Sequence, residues 1–321
     1  MMRWSLFLQG SDMAAQASLY DKLFLAFDKQ VALLEMRGLL VSDKTAACRF
    51  LASTNYYRFT GYAIPFLRDN DREHFKAGVD FEQVCGIIGF DGALRDLVAR
   101  ALRAIEIDFR TTVAHEHSRS YGAMGYQCGR NFSDARAHRE MWEKIQGEIE
   151  NSKEKCIDHF NRNYGGSVPV WAAVEVISFG KVSHLCKAMK DCDKNRVAKR
   201  YYLNSKNLCS YIQHLSVVRN ACAHHARLWD RDFSLGKRGY GFQPVSEWVR
   251  EGISATDTRF LFHTLALIYR MARPVPKPCF DRDKWKGELI CLLESQRDTP
   301  HCDTFREMGI PGNWLDGGWW V

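Results

Sequence analysis

The chain has 321 residues, of which 46% are hydrophobic and 26% charged, the proportions of an ordinary globular protein with ample length for a core. No apolar run approaches the ~18–20 residues of a membrane span. None of the eleven scattered cysteines forms a Cys-x-x-Cys pair, which excludes a zinc ribbon and a thioredoxin-like motif. A net charge of +7 suits a polyanionic partner, and free thiols without a secretory leader predict a cytoplasmic protein.

Helix-period segments dominate and strand signals are scarce, so an all-α fold is expected. Apolar residues at Leu19, Leu23, Phe24, Phe27, Val31 and Leu34 predict a first helix over 15–37, ended by Gly38. Ser42 and Asp43 offer an N-cap for a second helix to about Ser53. The aromatic stretch from Asn55 to Phe66 follows as a connector, punctuated by Gly61 and Pro65. A long helix is expected from Phe81 to about Tyr121, kinked near Gly89–Gly92, with Leu94, Val98, Leu102, Ile105, Phe109 and Val113 on its apolar face. Residues 133–163 read as one polar helix. Pro169 marks another helix start, which Phe179-Gly180 breaks before Val182–Met189 resumes. Further helices are expected at about 193–202, 205–228, 257–272 and 282–295, with an irregular insert at 231–255. The tail, with Trp314, Trp319 and Trp320, is expected to dock by its aromatics. Domain boundaries are placed at 1–80, 81–275 and 276–321.

The segment from Leu215 to Trp229 carries Arg219, Asn220, His224, His225 and Arg227 on what reads as a core-directed helix. Four residues separate Arg219 from His224, and helical periodicity is expected to put the two on adjacent parts of one face. RNA cleavage without metal needs a base for the 2′-hydroxyl, an acid for the leaving oxygen and positive charge on the phosphorane. His224 suits the proton transfer and Arg219 the phosphate. Asn220 suits phosphate binding or fixing an imidazole tautomer, with His225 and Arg227 auxiliary. The spacing itself is weak as a signal, since Arg110 and His115 repeat it. Cys222 and His225 could share an ion at i, i+3, but no further ligand pair is evident, so neither metal nor cofactor is expected.

Three other groups have two readings each. Glu106 and Arg110, one turn apart, either support the catalytic face or form a buried ion pair joining two helices. Tyr56, Tyr57, Arg58 and Tyr62 either bind RNA by stacking and phosphate contact or pin a connector to the core. Lys199 and Arg200, in the basic run with Lys194, Arg196 and Lys206, either track a nucleic-acid backbone or form a solvated helix face.

Residues 215–231 resemble the motif of the Abi-like family of bacterial abortive-infection proteins, of the AbiD and AbiF type, at nearly every position. Asn55–Tyr62 with Pro65-Phe66, Ala104–Arg110, Pro169–Gly180 and Gly309–Trp314 resemble further blocks of that family, in the same order. A departure is Asp230, where the family usually has Asn. The resemblance implies a HEPN-type helical bundle with additional N- and C-terminal helices, and a metal-independent endoribonuclease site at Arg219, Asn220 and His224. It further implies a composite site built from two copies, hence a homodimer, and a bound RNA, since some members are encoded beside a structured non-coding RNA. The alternative from another class is a non-catalytic RNA-binding module, a scaffold or antitoxin-like partner, using the same Arg/His face.

Overall fold

The computed structural model describes residues 23–234, 242–244, 246–250, 252–254, 257–316 and 318–320. The expected helix start at 15–22 and part of the 231–255 insert lie outside these. Among the described residues there are fourteen α-helices and one two-stranded sheet, an all-α architecture. None of these helices is long and apolar enough to cross a membrane. The chain divides into two compact units. One comprises the described residues up to Gly92 with Ser295–Thr304, and the other Ala93–Glu294 with the segment from Phe305 onward. The division falls inside a helix, between Gly92 and Ala93.

In the first unit, α2 (Lys44–Thr54) packs against both α1 (Phe27–Met36) and α3 (Tyr56–Ala63). Residues 23–26 are not helical, and Leu23 and Phe24 are exposed, so the apolar period of the first helix overstates its length. Asp43 is the N-cap of α2, its carboxylate accepting from Ala46 N at 2.9 Å. A short hairpin, β1 (Leu67–Arg68) with β2 (Asp71–Phe75), turns at Asp69-Asn70, a feature the scarce strand signals do not predict. The core is aromatic. Phe59 stacks on Phe81 at 4.5 Å between ring centroids, and Phe50 meets both edge-on.

Helix α4 (Phe81–Tyr121) passes through Gly86, Gly89 and Gly92 without a break in its helical assignment. At ~1.5 Å per residue it is about 60 Å long. In the second unit its residues Leu94, Val98, Leu102, Ile105, Phe109 and Val113 are completely buried, as the 3–4 spacing requires. The polar stretch after it forms two helices, α5 (Ala135–Glu150) and α6 (Lys155–Asn163). Local side-chain bonds take over the backbone between them. Asn151 Nδ2 donates to Gly147 O at 2.7 Å, and Ser152 Oγ accepts from Glu154 N.

Helix α7 (Val170–Val176) ends two residues before the expected break, because Ile177 and Ser178 are extended; α8 (Phe179–Ala188) then begins with Gly180 inside it. Glu148 fixes this joint by accepting from Ser178 N at 2.7 Å and Ser178 Oγ at 3.1 Å. After α9 (Asp191–Arg200) comes α10 (Ser205–Ala223), which packs on α8, α9 and α12 (Leu261–Met271). Helix α11 (Ser246–Arg250) precedes α12; α13 (Arg282–Glu294) and α14 (Thr304–Met308) follow it.

The tail docks as its tryptophans suggest. Trp314 and Trp319 are buried against Phe262, and Trp320 Nε1 donates to Trp314 O at 2.8 Å. Gly309 makes the turn into it at φ +68°, closing α14 with bonds from Gly309 N to Arg306 O and from Ile310 N to Phe305 O. A Cβ on Gly309 would lie 2.6 Å from Phe260 Cβ. Gly309→Ala is therefore expected to cost about 2–3 kcal/mol, read as a lower urea midpoint at unchanged slope.

Two histidines sit in the second unit's core. Burial holds His214 down to about 3, and its Nε2 shares a 2.8 Å hydrogen bond with Thr264 Oγ1. Burial also lowers His263 to about 4, with Asp257 opposing it. Both stay neutral in the fold but bind a proton below about 6.5 when unfolded. Stability is therefore full above that pH and falls as pH drops below it. Two such groups predict a loss of about 2–3 kcal/mol between pH 7.5 and 5.5. In urea titrations across this range, His214→Gln with His263→Gln should flatten the dependence.

Candidate functional site

The site is built on α4 and α10. Asn204 caps α10 by accepting from Asn207 N at 2.8 Å. The face with Leu208, Tyr211, Ile212, Leu215 and Val218 is completely buried. The opposite side leaves Gln213, Val217, Asn220 and His224 exposed, at steps of four, three and four residues. Arg219 lies at the border between the two and reaches toward α4.

There Arg219 Nε donates to Glu106 Oε2 at 3.0 Å. The other carboxylate oxygen accepts from Arg110 Nε at 3.1 Å and also from Arg110 Nη2. Glu106 and Arg110 are both 7% exposed, so this carboxylate is shared by two guanidiniums largely out of water. Arg110 Nη1 in turn donates to Ile177 O at 2.6 Å and to Val174 O. Those carbonyls belong to the last turn of α7 and to the joint after it, where helical partners are missing. The early end of α7 is thus what gives Arg110 its acceptors. The Glu106–Arg110 pair is buried and joins elements, and its carboxylate also holds Arg219.

The C-terminal end of α10 departs from expectation. The helix stops at Ala223, not 228, and His224 is its C-cap. His225 takes a left-handed φ of +53°, with bonds from His225 N to Cys222 O and from Ala226 N to Ala221 O. This closure is the one Gly309 makes for α14, but with a side chain where glycine is favoured, at a cost of about 1 kcal/mol. Arg219 and His224 are therefore not adjacent on a continuing helix. Five steps of 100° leave them about 140° apart, and the residue one turn before His224 is Asn220. Arg219 Nη1 bridges to that stripe at 3.4 Å from Asn220 Oδ1.

Arg227 is committed to Asp230, Nε to Oδ1 at 2.8 Å, so the residue at which this chain departs from the Abi-like pattern anchors its own neighbour. Cys222 is buried, whereas His225 is exposed. Among the described residues no group of three or more His, Cys, Asp or Glu side chains is placed to hold a metal ion. Arg110 is buried while His115 is exposed, so that second Arg/His pair does not converge.

The tyrosine cluster lies in the first unit. Tyr62 is a core residue, 2% exposed, donating to Asp91 Oδ2 at 2.5 Å, and its ring cannot stack on a base without leaving the core. Arg58 covers that ring and donates to its hydroxyl at 3.3 Å. Tyr56 is half-buried, and burial raises its hydroxyl above the usual tyrosine value. Tyr57 is exposed. In the second unit Lys199 is exposed, but Arg200 is held by Asp108, Nε to Oδ2 at 3.0 Å, which raises its guanidinium further. The backbone carbonyls of Val174 and Ile177 carry no side-chain signature and escape a sequence reading. The only available hint was Ser178, two residues after the α7 terminus.

The sequence model of the Abi-like protein family matches residues 49–230, more than half of the chain. The chain belongs to the Abi-like protein family. The matched span contains Glu106, Arg110, Arg219, Asn220 and His224, so the whole network of this Abi-like protein lies within the family's region. Membership points to abortive infection as the setting of its activity. No curated protein and no solved structure matches the chain.

Proposed function

We propose that this Abi-like protein is an abortive-infection endoribonuclease of the HEPN type, cutting RNA in the cytoplasm without a metal ion and toxic to its host when infection triggers it. The observation that carries the reading is a guanidinium braced by a buried carboxylate beside an exposed Asn220–His224 stripe, on a helix whose other face is core. Polar groups on such a helix cost stability unless they are paired or used. Arg219 spends Nε on Glu106 and holds Asn220 only loosely through Nη1, at 3.4 Å, and it remains 40% exposed, which leaves terminal donors for a phosphate.

In the reaction, His224 transfers the proton, Arg219 stabilises the charge developing on the phosphorane and Asn220 positions it. The 2′-hydroxyl attacks the adjacent phosphorus, the bond to the 5′-oxygen breaks, and that oxygen takes a proton. The products are a 2′,3′-cyclic phosphate and a 5′-hydroxyl. One imidazole cannot serve as base and acid at once, which favours a second copy. The exposed stripe of Gln213, Val217, Asn220 and His224 has the spacing of a helix–helix seam, so a homodimer would place two imidazoles together.

Incubation of the full chain with single-stranded RNA in EDTA tests the reading. Cleavage with cyclic-phosphate ends is expected. Tight RNA binding without cleavage would instead favour the non-catalytic RNA-binding module, and products with 3′-hydroxyl ends would overturn the mechanism.

A further inference from the structure

We infer that the outward stripe of α4, from Arg100 to Arg119, is the track on which a single RNA strand lies. Phosphates are gripped by Arg103 and Lys284 at one end, and a base stacks on Trp171 at the other. The inference rests on the reading of the protein as one that acts on RNA, and it places the strand.

The stripe is a product of helical spacing. Arg100, Arg103, Ile107, Thr111, His115 and Arg119 follow one another at three or four residues, and all are exposed. They cover about 28 Å of one helix. None is acidic. Ile107 is 55% exposed, an apolar surface set between cations.

At the Arg100 end the stripe forms one wall of a groove of about 590 Å³, whose other wall is the segment Val275–Glu288. Trp285 ties the two walls together by donating Nε1 to Leu97 O at 2.9 Å. The groove's three carboxylates are already matched: Asp108 by Arg200, Glu288 by Arg100, and Asp281 by Lys277 at 4.0 Å. Arg103 and Lys284 make no ion pair among the described residues, and both are exposed, one on each wall. The groove's five cations, Arg100, Arg103, Arg200, Lys277 and Lys284, thus outnumber its three carboxylates, although Lys284 as well as Lys277 acts on Asp281.

At the other end, His115, Ser118 and Arg119 surround a hollow with Trp171. Trp171 is 53% exposed, whereas Trp229, Trp248, Trp285, Trp314 and Trp319 are at most 2% exposed. Trp142 and Trp320 are half-buried, so Trp171 is the most exposed indole among the described residues. Arg119 is only loosely held, 3.8 Å from Glu116, which Arg196 already engages at 2.8 Å.

Cations spread along a line and interleaved with flat or apolar surface match the alternation of phosphate and base in a single strand. A compact anion would need them converged. The stripe also lies about 100° around α4 from Glu106 and Arg110, so a strand on it lies against the helix that braces Arg219.

Anisotropy of a fluorescein-labelled oligouridylate bound to the full chain, measured across a KCl series, tests the track. Arg103→Glu with Lys284→Glu is expected to weaken binding at least tenfold. It should also flatten the plot of log affinity against log salt by about 1.4, the loss of two phosphate contacts at about 0.7 each. Trp171→Ala should weaken binding about tenfold. Arg136→Glu, a charge reversal at an exposed position of α5, should leave it unchanged. Unaltered thermal unfolding of the variants confirms that they fold. If the double variant and Trp171→Ala bind and cut like the unaltered chain, the track is wrong and the ribonuclease reading stands. Failure of the unaltered chain to bind RNA overturns both. Competition by polyglutamate as strong as by RNA would assign the stripe to an acidic protein segment and overturn the track.

Discussion

His224→Ala is expected to lower RNA cleavage by about 10²–10⁴-fold, the usual contribution of a positioned acid or base, with RNA binding and thermal unfolding little changed. The imidazole is exposed at the C-cap of α10, so removing it opens no cavity. Its backbone N–H, bonded to Asn220 O at 2.9 Å, is retained in the variant. The loss should therefore appear in the rate and not in the fold. The assay is cleavage of a labelled single-stranded RNA in EDTA, with the cyclic-phosphate product quantified. His225→Ala is the informative companion: its left-handed backbone contributes to closing the helix, so that variant should disturb the site through geometry. Full activity in His224→Ala would remove the residue from the mechanism.

Glu106→Ala is expected to destabilise the protein by about 3–5 kcal/mol, the cost of breaking a buried ion pair from one side. Its carboxylate is the shared acceptor for Arg110 and Arg219, and Arg110 is too buried for water to replace it. Glu106→Gln keeps the shape and one acceptor but not the charge, and should lose less. Arg219→Ala is the contrasting case. That side chain is 40% exposed and its pair is partly solvated, so stability should fall by about 1 kcal/mol or less. Cleavage should nonetheless be lost, and Arg219→Lys should not restore it, because an ammonium cannot hold Glu106 and a phosphate in fixed directions. Urea unfolding with parallel cleavage assays separates the two roles. A Glu106→Ala chain within about 1 kcal/mol of the parent would mean that the network does not hold the two helices together.

The legible part of this fold was its helical periodicity. The apolar positions from Leu94 to Val113, and those from Leu208 to Val218, are buried because their spacing matches the helix repeat. Asp43 and Gly38 were legible for local reasons, one as a side-chain cap and the other as a residue that tolerates positive φ. The end of α10 was not. A helix that closes on histidine gives no glycine signal, and the periodic pattern ran on past it to residue 228. The joint at Ile177-Ser178 was displaced for a similar reason. What fixes it is Glu148, thirty residues earlier in the chain.

By itself the sequence determined an all-α chain of the Abi-like kind and the residue types that meet at its candidate site. Arg219, Asn220 and His224 could be picked out because they form a polar cluster at the end of a helix whose preceding face is apolar. Only the tertiary structure decided how they are used. Glu106 meets Arg219 across 113 positions of sequence, and the acceptors of Arg110 are backbone carbonyls freed where α7 ends. Contacts of that kind depend on which helix faces which, and on where hydrogen-bonded turns stop. Neither property is carried by a local pattern of side chains.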